Sequence, residues 1–260
     1  MARRNVSIHD RERWVFNRLA VDYRARPGYP AALVDRLAAL AGGAGRRVAE
    51  LGAGTGLLAL PLARAGLSVH AVEPALAMLE VLADGARGLD VSPVHAAAEE
   101  TGLPAGAFDL VVLADALQWV DPEGCAREAA RLLAPGGVLA VVDPRPAATP
   151  FMTALGERIA AANFKGRPQP LPVELLFSLA LRGAPARERF DDEAVLDDAG
   201  LAAVLRSISY VGPALGPGAL ESLLADARTL ARAHGGAAWR RELALWWGSR
   251  SRGPVVPCAA

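Results

Sequence analysis

Cysteine, lysine, net charge and long apolar runs are all scarce in this chain, and each shortage excludes something. Cys125 and Cys258 are the two cysteines, too few and too far apart in sequence for a disulfide framework. No Cys/His cluster has metal-ligand spacing, so two reduced thiols and no metal are expected. Lys+Arg 28 balances Asp+Glu 28, which removes the basic field that draws in nucleic acid or an anionic membrane and favours a small, roughly neutral partner. Lys165 is the lone lysine among many arginines; with abundant alanine, this reads as a high-GC coding bias rather than a functional device. No apolar stretch reaches the ~18 residues that span a bilayer. The opening "MARRNVSIHDRERW" has arginines but lacks the apolar run of a secretory signal. A soluble, cytoplasmic chain is expected.

What is present is a 52 % hydrophobic content over 260 residues, enough for one sizeable core and short for two. From Gly45 to Asp143, short apolar runs alternate with helical stretches, the signature of βαβ units and a parallel sheet. The strands predicted are 47–51, 68–73, 92–97, 108–114 and 137–143, with helices over 57–65, 75–84 and 122–133, the last stopped by "APGG". Right-handed crossovers between five such strands give a doubly wound sheet. Before it, two helices flank the turn "RPGYP", 26–30. After a proline-rich break at 143–150 come helices predicted over roughly 151–164, 172–182, 191–209 and 217–246, with "RERF" at 187–190 able to add a strand. Trp239, Leu243, Trp246 and Trp247 read as one packed helix face.

The first strand runs into "VAELGAGTG", 48–56, where Gly52, Gly54 and Gly56 lack the Cβ atoms that would hold a ligand off the backbone. In open parallel sheets ligands bind at the carboxyl ends of the strands, where this turn falls. Glu73 closes the second strand and is suited to accept hydrogen bonds from two ribose hydroxyls, so turn and acid together point to an adenosine-type cofactor. NAD and S-adenosylmethionine both meet that description. Leu57 stands where the dinucleotide fingerprint has its third glycine, and Glu50 would repel a phosphate while helping to hold an amino group. The second cofactor is therefore the better fit, and an NAD-linked oxidoreductase is disfavoured.

Four blocks together, "VAELGAGTG" 48–56, "VHAVEPALAML" 69–79, "AAAEETGLPAGAFDLVVLADALQWVDP" 96–122 and "EAARLLAPGGVLAVVD" 128–143, resemble the class I S-adenosylmethionine-dependent methyltransferases. The start "DYRARPGYP", 22–30, is similar to the bacterial branch related to the trans-aconitate and ubiquinone/menaquinone enzymes. The resemblance implies an α/β, Rossmann-like, doubly wound and mostly parallel sheet in a single domain: an N-terminal helical cap over 1–44, a cofactor-binding core over 45–145 and a mainly helical C-terminal lid over 146–260. It also implies that Gly52, Ala53 and Gly54 lie along the methionine part of the cofactor, with Glu50 near its amino group, Glu73 on the ribose and Met78 on the adenine. Met78 also suits a plain core position. Ala98 and its neighbours Ala97 and Glu99 would meet the adenine edge, and Ala114 the amino group. Tyr23 and Arg26 would close over the carboxylate end, arginine by its fork of donors.

Two residues depart from that pattern and bear on chemistry. Ala97 stands where relatives carry an acid that accepts from the adenine amino group, a loss worth about 0.5–1.5 kcal/mol. Gln118 stands where relatives have histidine, and glutamine cannot act as a general base. The closing "VVPCAA" also differs from relatives that continue through an aromatic, so one wall of the acceptor site is expected to differ. Methyl transfer from a sulfonium needs mainly positioning. If a proton must leave the acceptor, Asp115 is the preferred candidate, with Gln118 only as an orienting group and Asp121 nearby; Asp115 could instead cap a helix or order its loop. Trp119 is suited to an apolar acceptor wall. His70 and His95 are expected packed within strands, and His9 and His234 in terminal helical regions. The function expected is methyl transfer to a small-molecule metabolite, with S-adenosylhomocysteine as product, in bacterial specialised biosynthesis; the alternative is a methyltransferase-like protein used for a non-methylating step such as a ring closure, or as a partner subunit. Acceptor, base and oligomeric state stay open.

Overall fold

The structure, a computed structural model, describes residues 15–163 and 171–251. The apolar runs of the central region form parallel strands β1 (Arg47–Leu51), β2 (Ser68–Val72), β3 (Val91–Val94) and β4 (Phe108–Ala114), followed by a long β5 (Leu133–Pro146). Helices α1 (Phe16–Tyr23) and α2 (Ala31–Ala41) precede β1. Between the strands lie α3 (Ala59–Arg64), α4 (Leu76–Gly85), a 3-10 turn Leu117–Trp119 and α5 (Pro122–Leu132). Alternate residues of β1 and β4 enter two separate apolar layers: Val48, Leu110 and Val112 with α2 and α3, and Ala49, Leu51, Val111 and Leu113 with α5. A strand buried on both faces carries apolar residues in succession, which is why these segments read as largely apolar runs, interrupted by Glu50 in β1 and Asp109 in β4.

The chain then continues through α6 (Pro150–Ala162), α7 (Val173–Leu181), β6 (Ala186–Leu196), α8 (Asp198–Ser207), α9 (Pro217–Ala233) and β7 (Ala237–Ser249). The seven-stranded sheet runs β3-β2-β1-β4-β5-β7-β6. Its first five strands are parallel, and β7 is antiparallel to both β5 and β6. This is the Rossmann-like, mostly parallel sheet flanked by helices that the pattern implies. The C-terminal region is less helical than read: the helices expected over 191–209 and 217–246 are cut short by β6 and β7. "RERF" is indeed in a strand, and the tryptophan segment is a strand rather than a helix. Its side chains alternate between faces, Trp246 joining the layer with Phe177 while Trp247 packs on the opposite layer and donates to Glu188 Oε1 at 2.9 Å.

Past Val142, where β4 ends its pairing, β5, β7 and β6 extend as an antiparallel ribbon beyond the carboxyl ends of the parallel strands. Helices α6, α8 and α9 pack on one face of that ribbon through Leu196, Ala237 and Trp239. Arg241 of β7 pairs with Asp192 of β6 and donates to the carbonyls of Pro27 and Gly28. The "RPGYP" turn is thereby fastened over the sheet's ligand end. Among the described residues no helix is long and apolar enough to cross a membrane.

Candidate active site

The turn after β1 is built to be approached closely. Gly52 and Gly54 have φ of 79° and 55°, left-handed conformations that L side chains rarely adopt. A Cβ on Gly52 would stand 2.7 Å from that of Ala116. The amides of Gly52 and Ala53 both donate to Val72 O at 2.9 Å, tying the turn to β2. Glu73, buried at the end of β2, accepts from Gly54 N at 2.9 Å and from Ala75 N at 2.8 Å.

The turn opens on a cleft enclosing about 770 Å³ of space between atoms, part of it open solvent. Of the residues singled out from the sequence, Glu50, Gly52, Ala53, Gly54, Glu73 and Met78 line one side. Tyr23, Ala98, Ala114, Asp115 and Trp119 line the rest. Residues that sequence reasoning missed complete it, chiefly Phe16 and Tyr29 on the cap, Leu57 after the glycine turn, and Ala116. Phe16 meets Trp119 edge to face at 5.0 Å between centroids, forming an aromatic wall between cap and core.

Glu50 is 2 % exposed, and its Oε2 has no hydrogen-bond partner. Burial, and then the neighbouring Glu73, push its carboxyl up to about 8 against a backbone hydrogen bond from Ala59. Burial likewise lifts the Tyr23 hydroxyl to about 12, partly opposed by Arg26, and holds Tyr29 well above the ordinary tyrosine range. Burial also raises the Asp115 carboxyl, against Arg26 and a hydrogen bond from Gln118.

Four expected positions have other partners. Arg26 does not line the cleft: its Nη1 reaches Asp115 Oδ2 at 3.2 Å and Tyr23 OH at 3.3 Å, while Nε and Nη2 donate to Oγ and O of Ser207 at 2.8 and 3.0 Å. Its fork joins cap, core and α8 instead of facing a ligand carboxylate. Gln118 is exposed and donates Nε2 to both O and Oδ1 of Asp115 at 3.0 Å, an orienting role toward that acid. Glu99 accepts from Asp121 N at 2.8 Å, stitching the loop after β3 to the loop after β4. Ala97 sits in a small turn, its carbonyl accepting from Glu100 N at 3.2 Å, because β3 ends at Val94 rather than at residue 97.

Asp121 is the N-cap of α5, accepting from Gly124 N at 2.8 Å, so its carboxylate is engaged in starting that helix. Asp115 has a left-handed φ of 51°, which costs about 1 kcal/mol at a non-glycine position. The three-way grip of Arg26, Gln118 and the Val142 carbonyl, which accepts from Asp115 N at 2.9 Å, holds it there. Of the histidines, His70 packs edge to face on Phe108. His95 lies just beyond β3, exposed, with a ring nitrogen 3.1 Å from Pro74 O. His234 caps α9 against Phe151. His9 and Cys258 lie outside the described residues. Cys125 is buried in α5, and no group of three or more His, Cys, Asp or Glu side chains able to hold a metal occurs among the described residues.

Residues 49–141 match the family model described as a methyltransferase domain. An uncharacterized methyltransferase of Mycobacterium tuberculosis is 43 % identical over 119 residues, covering 46 % of this chain and 47 % of that protein. A ubiquinone biosynthesis O-methyltransferase of Caulobacter is 38 % identical over 101 residues, 37 % of this chain and 40 % of the relative. The match thus spans about half or less of these relatives' length. Among solved structures, one assigned to the type II methyltransferases of Anaeromyxobacter dehalogenans aligns with a TM-score of 0.60 and 26 % identity, covering 86 % of this chain and 97 % of that one.

Proposed function

We propose, from the premise that residues 49–141 form a class I methyltransferase domain, that this chain transfers the methyl group of S-adenosylmethionine to a small-molecule acceptor, in bacterial specialised metabolism. The observation that carries the reading is Glu50 Oε2: a buried carboxylate oxygen without a partner, lining the cleft beside the glycine turn. An orphaned acid costs free energy unless it is protonated or a donor meets it. The ammonium of the cofactor's methionine part is such a donor, and a pyrophosphate is not.

The cleft fits that cofactor on two further counts. Gly54 leaves open the space a Cβ would fill and Gly52 lets Ala116 approach the turn, while three acids, Glu50, Glu73 and Asp115, line the cleft, Asp115 being offset by Arg26. A cationic group beside Glu50 would favour that acid's ionised form. When bound, the cofactor supplies a methyl group activated on a cationic sulfur. The chain's own residues do the rest. Glu73 is suited to the ribose hydroxyls, Met78 to the adenine face, and Phe16 with Trp119 to excluding water on the acceptor side. Asp115, whose Oδ2 accepts from Arg26 and whose Oδ1 accepts from Gln118, is the acid proposed to take up an acceptor proton where the acceptor must lose one.

Calorimetric titration with S-adenosylmethionine and, separately, S-adenosylhomocysteine tests the reading. Micromolar binding of both is expected, followed by methyl transfer within a panel of small hydroxyl and amine acceptors. Absence of binding by either would overturn it. Binding without transfer to any acceptor would favour a non-methylating step at the same site.

A further inference from the structure

The outer strand β6 carries none of its eleven residues in a buried state. It is the last strand of the sheet, and its free edge meets no other strand among the described residues. Charged side chains on an edge commonly block pairing with another chain. Here, however, the signs are segregated along one face of the strand: Arg187 and Arg189 come first, then Asp191 and Glu193, with Glu188 and Asp192 on the other face. Such a strand is complementary to itself run backwards.

The pleat restricts how two copies could join. Residues directly opposite must share a face, so a two-fold axis normal to the sheet must pass through a residue rather than between two. An axis at Arg189 or Asp191 sets that charge against its own copy. One at Glu188 opposes Arg187 to Arg189, and one at Asp192 opposes Asp191 to Glu193. Only an axis at Phe190 gives both arginines acids, with Arg187 opposite Glu193 and Arg189 opposite Asp191. On the other face this register sets Glu188 opposite Asp192, but each is already neutralised in its own chain. Arg36 holds Glu188 at 2.6 Å, and Arg241 holds Asp192. On the first face Arg189 and Glu193 also pair within the chain, with Glu242 at 3.2 Å and with Arg240, whereas Arg187 and Asp191 have no ion-pair partner among the described residues, Arg187 stacking on Trp246 at 4.5 Å from its centroid, so each new pair joins one uncommitted charge to one already paired.

We propose that β6 pairs antiparallel with β6 of a second copy of this chain about a two-fold axis through Phe190, continuing the sheet across the dimer. An isologous contact of this kind closes on itself and leaves no further edge on that side. A ladder of one strand is a small interface, so the dimer is concentration-dependent, and its exposed ion pairs weaken as salt rises.

Sedimentation velocity on the full chain tests this. A dimer is expected at about 100 µM in low salt, shifting toward monomer as salt increases. The double variants Arg187→Glu/Arg189→Glu and Asp191→Arg/Glu193→Arg should each sediment as monomers, with circular dichroism confirming the fold, and an equimolar mixture of the two should regain the dimer. Register is read separately in a Cys258→Ser background: Phe190→Cys, on the axis, should cross-link to its copy on oxidation, whereas Val195→Cys should not. A monomeric wild type, self-association that survives in both double variants, or cross-linking at 195 as readily as at 190 would overturn the proposal.

Discussion

The amide of Gly54 donates to Glu73 Oε2 at 2.9 Å, so the turn after β1 and the acid closing β2 are one construction. Glu73→Ala removes that bond, the second one from Ala75 N, and the acceptor proposed for the ribose hydroxyls. Losing charge-assisted hydrogen bonds of this kind costs about 1.5–3 kcal/mol, or roughly 10- to 150-fold in affinity. Calorimetric titration with S-adenosylmethionine should show that loss. An unchanged dissociation constant would remove Glu73 from the proposed cofactor site.

Glu50 gives the unliganded protein a pH dependence of defined sign. Its carboxyl stands at about 8 in the folded chain against 4.5 ordinarily, so between those values the folded state keeps a proton that the unfolded state has released. Stability from this group is therefore fully present below about 4.5, falls as pH rises through the window and levels off above about 8. Glu50→Gln abolishes the contribution. In the absence of cofactor, the Tm of wild type should decline relative to that of the variant as pH rises, leaving the variant the more stable protein at alkaline pH. Melting curves that stay parallel from pH 5 to 9, roughly the window of this linkage, would contradict it.

How far the sequence could be read depends on the reach of the interaction involved. β1 and β4 have the limits read from their apolar runs, because burial on both faces writes itself into consecutive residues. The glycine turn and Glu73 were legible for the same reason: both are local to a strand end. β7 was not, because Trp239, Leu243 and Trp247 are spaced by four, and that spacing satisfies a helical period and a strand period alike. What decided it was pairing with β5 and β6, a long-range term that no window contains. Similarly, the acids at 191–193 resemble the start of a helix until Arg240 and Arg241 of β7 are placed beside them. Nothing in the sequence linked Ser207 to Arg26, 181 positions away. Asp121 could have been assigned as a cap from "DPEG" alone, an acid before proline at the first helical position.

Arg26 and Ser207 make the joint between cap, core and C-terminal region. Ser207 is buried, and its hydroxyl donates to Val204 O at 2.6 Å while accepting from Arg26 Nε. Arg26→Ala strips Asp115 of its cation and leaves Ser207 O without that donor. Because the side chains of the ion pair are 21 % and 30 % exposed, the cost is discounted to about 1–3 kcal/mol. Ser207→Ala removes one neutral acceptor and should cost about 1 kcal/mol. Urea unfolding would measure both. A loss for Ser207→Ala as large as that for Arg26→Ala would mean that the serine, not the ion pair, carries the joint.

Gly52 separates two penalties that usually come together. Its φ of 79° strains any L residue, and its absent Cβ would lie 2.7 Å from the Cβ of Ala116, well inside contact distance. Gly52→Ala should therefore destabilise the fold by about 1–2 kcal/mol from the left-handed backbone, with an added cost for overpacking. It should also weaken S-adenosylmethionine binding by crowding the cleft that both residues line. Ala116→Gly in the same chain removes the clash but not the strain. The double variant should recover part of the lost stability and no more, because φ at residue 52 is unchanged. Thermal or urea unfolding of the two single variants, the double variant and wild type gives the coupling directly. Strict additivity would show that the loop after β4 moves aside freely, and that the approach of the two turns does not shape the cleft.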